Sequence, residues 1–313
     1  MKYPVFDGHC DTPAELWRNG WNLADSACDV SLKRAAELPG YLQFYAFCMP
    51  WMEKEQNVSC EELFKKCHED FMAQLADNAD RITLCHDGGE AEAAVRAGRC
   101  GALLCIEGAE AISCDPGKLE LAKAMGISMV TLTWNFENAL SGSIMTGGGL
   151  TRQGREFVRE AQRLGILIDV SHLSEKGFWD LCDITEKPFI ASHSNARGVC
   201  RHKRNLTDEQ FKAICAAGGT AGLNLYAAFL SDTESCTYED VYRHIAHFLE
   251  LGGEGHIALG GDLDGCDRKP DGFTGVNSYT DLADYLLNRG IPEAMLRDIC
   301  ADSFLKVVKI CTM

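Results

Sequence analysis

The chain has 313 residues, a net charge of −16 and a sequence pI of about 5.0. This acidic balance excludes a nucleic-acid or anionic-membrane surface, because phosphate binding needs clustered basic residues. The 16 cysteines include no Cys-x-x-Cys pair and several lie in apolar runs, so we expect reduced thiols. No secretory segment precedes the first strand and no apolar stretch reaches membrane-span length, so a cytoplasmic protein that binds a small molecule is predicted.

Eight apolar, strand-like runs alternate with longer helix-like segments. Most of these runs lack polar alternation, which is typical of parallel strands covered by helices outside and packed side chains inside. Because no Pro- or Ser-rich linker interrupts them, we predict one domain over residues 1–313, an α/β fold of the (β/α)8 TIM-barrel type. The predicted strands are Pro4–Asp7, Leu42–Cys48, Ala102–Ile106, Met129–Thr133, Leu167–Val170, Phe189–Ala191, Thr220–Leu225 and His256–Gly260.

Amphipathic helices are predicted between the strands. Thr207 is followed three residues later by Gln210, which indicates a capping box, and Ser174 precedes another predicted helix start. The segments Glu53–Cys60 and Ala139–Gly149 are predicted to be loops at the barrel mouth. The predicted helices are Cys60–Ala79, Gly117–Met125, Thr151–Leu164, Ser174–Ile184, Thr207–Ala217 and Tyr238–Leu251.

Imidazole and carboxylate residues follow several of the predicted strands. His9 and Asp11 sit at positions i and i+2, so they share one face of an extended chain while Cys10 points away. The C-terminal ends of barrel strands meet at one rim, so these two residues are expected to converge with Glu107, His172 and His193. Five ligands exceed the usual set for one catalytic ion, whereas two ions sharing Glu107 as a bridge would use all five.

Ligands of this type suit Zn²⁺ best, and also Mn²⁺, Co²⁺ or Fe²⁺. Two ions about 3.5–4 Å apart can activate water and polarise a carbonyl or phosphoryl oxygen, so the predicted reaction is a hydrolysis. His68, His86, His244 and His247 are predicted to be structural, whereas His202 stays undecided beside a basic segment.

The last predicted strand also ends in acids. Asp262 comes first after the strand and is the preferred proton shuttle, with Asp264 as the alternative. After the sixth strand, Arg201, Lys203 and Arg204 offer cationic groups, of which a guanidinium could bind a substrate carboxylate with two hydrogen bonds. An anionic substrate group is therefore expected.

Taken together, the motifs around these positions resemble the membrane dipeptidase (renal dipeptidase) family, peptidase family M19, a branch of the amidohydrolase-like barrels. The resemblance covers nearly the whole chain. Its motifs are Asp7-Gly8-His9-Cys10-Asp11-Thr12, Ile106-Glu107-Gly108, Asp169-Val170-Ser171-His172, Ser192-His193-Ser194-Asn195-Ala196, Arg204-Asn205-Leu206-Thr207-Asp208, Asn224-Leu225-Tyr226 and Gly261-Asp262-Leu263-Asp264-Gly265.

The resemblance implies a dinuclear zinc dipeptidase, with tolerance of a D-residue at the C-terminal position of the dipeptide. It implies that Arg204 binds the terminal carboxylate, that Asp262 is the acid at the end of the last strand and that Tyr226 lies near the substrate. The implied metal sites are His9, Asp11 and Glu107 for one ion, and Glu107, His172 and His193 for the other. Family analogy also suggests a homodimer.

One position departs from the family pattern. After the fourth predicted strand the better-known members have a substrate-contacting histidine, whereas this chain has Trp134 followed by Asn135. An indole N–H donates one hydrogen bond but cannot titrate or bind metal, so either Trp134 or Asn135 supplies the donor or the substrate differs. Trp134 therefore leaves open the hydrolysis of an N-acyl amino acid or a cyclic amide at the same metals. A separate alternative is a catalytically silent barrel that serves as a binding or scaffold protein.

Overall fold

A computed structural model describes residues 2–312, apart from the side chains of residues 54 and 55. Within this range nine strands form one parallel sheet, and eight of them close into a barrel in the order β1-β2-β4-β5-β6-β7-β8-β9. The strands are β1 (Val5–Cys10), β2 (Tyr41–Cys48), β3 (Ile82–Leu84), β4 (Cys100–Glu107), β5 (Ile127–Thr131), β6 (Leu167–Asp169), β7 (Ile190–Ala191), β8 (Thr220–Leu223) and β9 (Ile257–Leu259).

All eight predicted strands are confirmed, with changes at their ends. The fourth predicted strand begins and ends two residues earlier than expected, at Ile127–Thr131. The short strand β3 was not predicted; it pairs with the first residues of β4, beside the barrel wall. With only three residues, it carries too little apolar pattern to be detected in the sequence.

Helices surround this barrel, and no helix among residues 2–312 is long and apolar enough to cross a membrane. The six predicted helices are confirmed, although Pro116–Lys118, at the start of one, is a 3-10 turn. The helices are α1 (Thr12–Asn19), α2 (Leu32–Ala35), α3 (Pro50–Gln56), α4 (Cys60–Asp77), α5 (Gly88–Arg96), α6 (Leu119–Ala124), α7 (Arg152–Arg163), α8 (Glu175–Cys182), α9 (Asp208–Ala216), α10 (Ala227–Leu230), α11 (Tyr238–Glu250), α12 (Tyr279–Asn288), α13 (Glu293–Arg297) and α14 (Ser303–Thr312).

Two local predictions near the barrel mouth have different outcomes. The loop predicted at Glu53–Cys60 is wrong over its first half, because α3 runs from Pro50, at a position where proline starts helices well, to a left-handed C-cap at Asn57. The capping box of Thr207 and Gln210 is confirmed at the start of α9. The region around residues 139–149 contains no helix and only isolated bridges, as a loop should.

Side chains at alternate strand positions fill the barrel interior. Leu103 and Cys105 of β4 belong to one buried apolar cluster with Phe6 and Phe44, and Phe304 of α14 packs against Phe6 in the same cluster. Continuing this alternation by two residues puts Glu107 on the inner face at the C-terminal end of β4. The apolar interior thus gives way to polar side chains at the rim where the predicted ligands lie.

Candidate metal centre and substrate cavity

Local backbone irregularities direct the predicted ligands into the barrel mouth. The register of β1 against β2 shifts between Asp7 and Cys10, and a bulge of this kind re-aims the following side chains. His9 is fully buried in the mouth, while Cys10 packs in the outer core between barrel and helices, as predicted. Just after β6, His172 adopts φ of 66°, a left-handed conformation that is strained for a residue with a Cβ.

The other four predicted ligands lie around Glu107. Its Oε2 lies 3.6 Å from His9 Nε2, and its Oε1 lies 3.1 Å from His172 Nε2 and 3.5 Å from His193 Nε2. Asp11 Oδ2 is 3.7 Å from His9 Nε2. Two groups of three, one of His9, Asp11 and Glu107 and one of Glu107, His172 and His193, each bring their ligand atoms within 4.8 Å of one another.

The outer nitrogens of two imidazoles are held by neighbouring side chains. His172 Nδ1 lies 3.0 Å from Asn135 Oδ1, and His193 Nδ1 lies 2.7 Å from Ser192 Oγ. Ser192 donates to Asp169 at 2.7 Å, so its oxygen is left to accept from His193 Nδ1–H. Both Nε2 atoms therefore present lone pairs, and hydrogen bonds of this type orient metal-ligating histidines.

The Nε2 atoms of His172 and His193 then face each other, and neither carries a proton that could form a hydrogen bond between them. His172 Nε2 and His193 Nε2 are 3.1 Å apart beside the carboxylate of Glu107. Burial and the nearby Arg204 guanidinium both lower the pKa of His172, and burial followed by the charges of His9 and Arg204 lowers that of His193. Two neutral nitrogens this close are stabilised by a cation between them, so this half of the cluster fits a metal ion.

The half formed by His9, Asp11 and Glu107 contains buried carboxylates that favour a nearby positive charge. Burial lowers the pKa of His9, but Glu107 and Asp11 outweigh it and raise the pKa to about 10. Burial raises the pKa of Asp11 to about 7. Both ring nitrogens of His9 and one oxygen each of Asp11 and Glu107 are buried without a hydrogen-bond partner in the part of the chain that the structure describes. Coordination to a metal would satisfy these atoms, so the donor set fits a divalent cation here too.

Of the two acids after β9, Asp262 is the one that reaches the cluster. Its Oδ1 lies 3.9 Å from His9 Nε2, and its Oδ2 accepts from Asn224 Nδ2 at 2.9 Å. Asp264 instead accepts from Thr12 Oγ1 and from the backbone N–H of Asp29, both at 2.6 Å. The geometry favours Asp262 as the acid available for chemistry and gives Asp264 a structural task.

A cavity of about 350 Å³ opens above the cluster and contains the predicted substrate residues. Arg204 is buried in its wall, packs over the Phe229 ring at 5.5 Å and has an unpartnered Nε, whereas Arg201 and Lys203 are exposed. His202 lies behind this wall, stacked on Phe229. The cavity is lined by Asp11, Glu15, Cys48, Trp51, Glu107, Trp134, Asn135, His172, Arg204, Tyr226, Phe229, Asp262, Asp264 and Gly265.

Several supporting residues had no role assigned from the sequence. Ser192 and Asp169 orient His193, and Asn224 holds Asp262. Asp7 is fully buried and accepts from the backbone N–H of His9 at 2.8 Å. The sequence signal that could have identified such residues is a polar residue inside an apolar run, close to a predicted ligand.

A closed parallel barrel whose strand ends bring three imidazoles and three carboxylates together has the architecture of a metal-dependent hydrolase. The sequence profile of the family described as membrane dipeptidase (peptidase family M19) matches residues 1–312, and the chain belongs to this family. It is accordingly a metallo-dipeptidase, a hydrolase that acts on peptide bonds, with a buried cluster that fits a metal site.

Individual relatives and a solved structure are similar to this chain over most of its length. An uncharacterised protein of Klebsiella pneumoniae, encoded in the pqqA 5′ region, is 33% identical over 250 residues, which cover 75% of this chain and 91% of that protein. An uncharacterised dipeptidase of Schizosaccharomyces pombe is 29% identical over 98% of this chain and 80% of its own length. A metallopeptidase of Rhodobacter sphaeroides, crystallised with a phosphinate mimic of the dipeptide L-Ala-D-Ala, superposes with a TM-score of 0.90 at 27% identity, covering 99% and 100% of the two chains.

Proposed function

We propose that this protein is a dinuclear zinc dipeptidase. One ion is held by His9, Asp11 and Glu107, and the other by Glu107, His172 and His193. The observation that carries the proposal is the pair of lone-pair nitrogens of His172 and His193, 3.1 Å apart at one end of the Glu107 carboxylate, with the partnerless His9 at the other. Because three carboxylates carry more charge than one divalent ion neutralises, the cluster can accept a second.

The protein's own side chains bind the substrate and move its protons. Metal ions at these positions lower the pKa of bound water and polarise a carbonyl oxygen. Arg204 binds the free carboxylate of the dipeptide through its guanidinium, whose Nε has no partner among the described residues and whose other two nitrogens make only long hydrogen bonds of 3.5 Å. Asp262, anchored by Asn224, accepts a proton from the attacking water and delivers it to the leaving amine. Glu107 fixes the spacing of the cluster from the inner face of β4.

The aromatic residues of the cavity wall shape the substrate pocket. Trp134 lies beside His172 with ring centroids 6.4 Å apart, and its indole N–H supplies the hydrogen bond that other family members take from histidine. Asn135 acts first on His172, which it orients, and Tyr226 packs edge-on against Phe229 at the carboxylate end. Acceptance of a D-residue at the C-terminal position is part of the proposal, supported by the similarity to the Rhodobacter sphaeroides peptidase with its L-Ala-D-Ala mimic.

The wider setting is also a proposal. The protein acts as one domain over residues 1–313, in the cytoplasm and without a membrane or nucleic-acid partner, and a homodimer is the predicted assembly. Sedimentation of the purified protein tests the assembly, and fractionation of the source cells tests the location.

The central test measures metal content and activity on the same sample. Zinc-loaded protein is assayed against L-L and L-D dipeptides, against N-acetylated copies of the same dipeptides and against cyclic amides. Cleavage of the free dipeptides with about two zinc ions per chain is the expected result. Cleavage of only the N-acylated compounds or of cyclic amides would show that the same metal site acts on a different amide substrate, selected by Trp134. Full metal content with no hydrolysis of any amide would favour a silent binding barrel.

A further inference from the structure

The cavity has two opposite ends, set by the strand order. Arg204 follows β7 and Trp51 follows β2, and these two strands are four positions apart around the eight-stranded ring, on opposite sides of the barrel. A dipeptide whose carboxylate is bound at Arg204 spans the metal cluster and directs its N-terminal residue towards the β1–β2 side. This reasoning rests on the proposed function, because Arg204 defines the carboxylate end.

An acid stands at that second end. Glu15 lies in the first turns of α1, directly after β1, and is half-buried in the cavity wall. Its Oε2 accepts from Asn19 Nδ2 at 3.0 Å, while its Oε1 has Arg18 only at 3.7 Å, beyond hydrogen-bond distance. The carboxylate is therefore steadied by its own helix and keeps one oxygen with capacity for a cationic donor.

An aromatic ring faces the same end. Trp51 of α3 lines the same cavity as Glu15, and the guanidinium of Arg18, which is 3.7 Å from Glu15, lies 5.3 Å from the centre of the Trp51 ring. Arg18 is not among the cavity-lining residues, so it approaches this pair from outside the cavity. Its position shows that the indole face and the Glu15 carboxylate attract a cation, and it leaves the cavity-lining sides of both residues open.

We infer that Glu15 and Trp51 form a subsite for a positively charged side chain on the N-terminal residue, so that the preferred substrates are dipeptides that begin with lysine, arginine or a similar cationic residue. The other acids of the cavity are committed elsewhere. Asp11 and Glu107 belong to the metal cluster, Asp262 is its neighbouring acid, and Asp264 accepts from Thr12 and a backbone amide. Among the acids that line the cavity, Glu15 is thus the carboxylate that is available to bind a cationic side chain of the substrate.

The test compares two dipeptides of equal length that differ in charge. Kinetic constants are measured on zinc-loaded protein for lysyl-alanine and norleucyl-alanine, and the calorimetric Kd is measured for phosphinate mimics of both, which need no turnover. We expect wild type to favour the lysyl compound roughly tenfold in both measurements, an effect typical of a cation near a carboxylate and an aromatic face. In Glu15→Gln the lysyl-to-norleucyl ratio should fall to about one to two, chiefly through the lysyl KM.

Glu156→Gln is the matched control. Glu156 is a helical acid that pairs with Arg152 at 3.1 Å on α7 and lies outside the cavity lining, so the ratio should stay at the wild-type value. Equal constants for the two compounds in wild type, or a Glu15→Gln variant that loses both equally, would overturn the inference while leaving the dipeptidase proposal intact. Absence of any cleavage would count against the dipeptidase proposal, and equal Kd values of the two mimics would still overturn the subsite.

Discussion

The two halves of the metal cluster are built differently. His172 and His193 have their outer nitrogens held by Asn135 and Ser192, so these rings are oriented by protein hydrogen bonds. His9, in the other half, has no hydrogen-bond partner for either nitrogen among residues 2–312 as described, and it is positioned by backbone and packing, with its ring 4.0 Å from that of His193. One half is pre-organised by the protein, whereas the other contains buried atoms that a metal ion would satisfy if the proposed function is correct.

The two halves should therefore differ in how much free energy metal binding releases. Residues whose hydrogen bonds are already made lose little on binding a metal, so the His172 and His193 half should bind its ion with little rearrangement. The His9 half gains more when the metal arrives, because an unsatisfied buried group costs about 1–3 kcal/mol. Glu107 belongs to both halves and couples them.

The largest expected effect is at this shared residue. Glu107→Gln keeps the side-chain shape but removes the charge that both halves use, so we expect kcat/KM to fall by at least ~10³-fold and metal content to fall below about one ion per chain. Steady-state kinetics and elemental analysis of the same sample measure both. The exposed Glu120→Gln is the control and should change neither. Retention of two ions by Glu107→Gln would show that Glu107 is not a bridge.

Changing the neighbouring acid should separate chemistry from metal binding. In Asp262→Asn the hydrogen bond from Asn224 is disturbed and the proton-transfer group is lost, so kcat should fall ~10²- to 10⁴-fold with about two ions retained. The matched variant Asp264→Asn alters an acid that only binds Thr12 and backbone amides, and it should reduce thermal stability more than kcat. An equal loss of kcat in both variants would contradict the assignment of the shuttle.

His244 is a buried histidine whose two ring nitrogens both have hydrogen-bond partners, so its pKa can be compared with that of His9, which has none in the described part of the chain. His244 accepts from the backbone N–H of Ala196 and contacts the Leu230 carbonyl oxygen at 3.0 Å, and burial lowers its pKa from 6.5 to about 4. Between pH 6.5 and pH 4, His244 binds a proton in the unfolded chain but stays neutral in the folded chain. Its contribution to stability is thus present above pH 6.5 and is lost as the pH falls through 4.

Urea unfolding of metal-free protein at several pH values measures this contribution. We expect the loss of unfolding free energy between pH 7 and pH 4 to be smaller in His244→Gln than in wild type by about 3 kcal/mol. Identical losses in the two proteins would mean that His244 does not carry the acid sensitivity.

The smallest effect should appear at the orienting serine. Ser192→Ala removes the acceptor for His193 Nδ1–H, so affinity for one of the two ions should fall about 10- to 100-fold while the other stays near its wild-type value. Stepwise calorimetric titration of zinc into metal-free protein resolves the two. Ser128→Ala is the control, because that buried hydroxyl bonds only the Leu104 carbonyl oxygen. An equal weakening of both ions would show that the halves are not independently built.

Much of the fold could be predicted because barrel strands buried on both faces read as continuous apolar runs. Ala102–Ile106 is one such run, and the observed strand Cys100–Glu107 extends it by three residues in total. Segments without such a run, such as β3 and the helix that begins at Pro50, were missed or read as loop. β3 is placed by its pairing with β4, which no local pattern encodes, whereas the proline at the start of α3 is a local helix signal that the loop prediction left out.

The sequence by itself determined the barrel, the family and which five residues come together, because an acid or imidazole just after an apolar strand must lie at the rim of a parallel barrel. Only the tertiary structure decided how those residues are held. The Asn135, Ser192 and Asp169 contacts join side chains from different strands, and the separation of Asp262 from Asp264 follows from backbone turns at φ of 55° and 63°. Distance and direction between segments far apart in the chain arise only when the barrel closes.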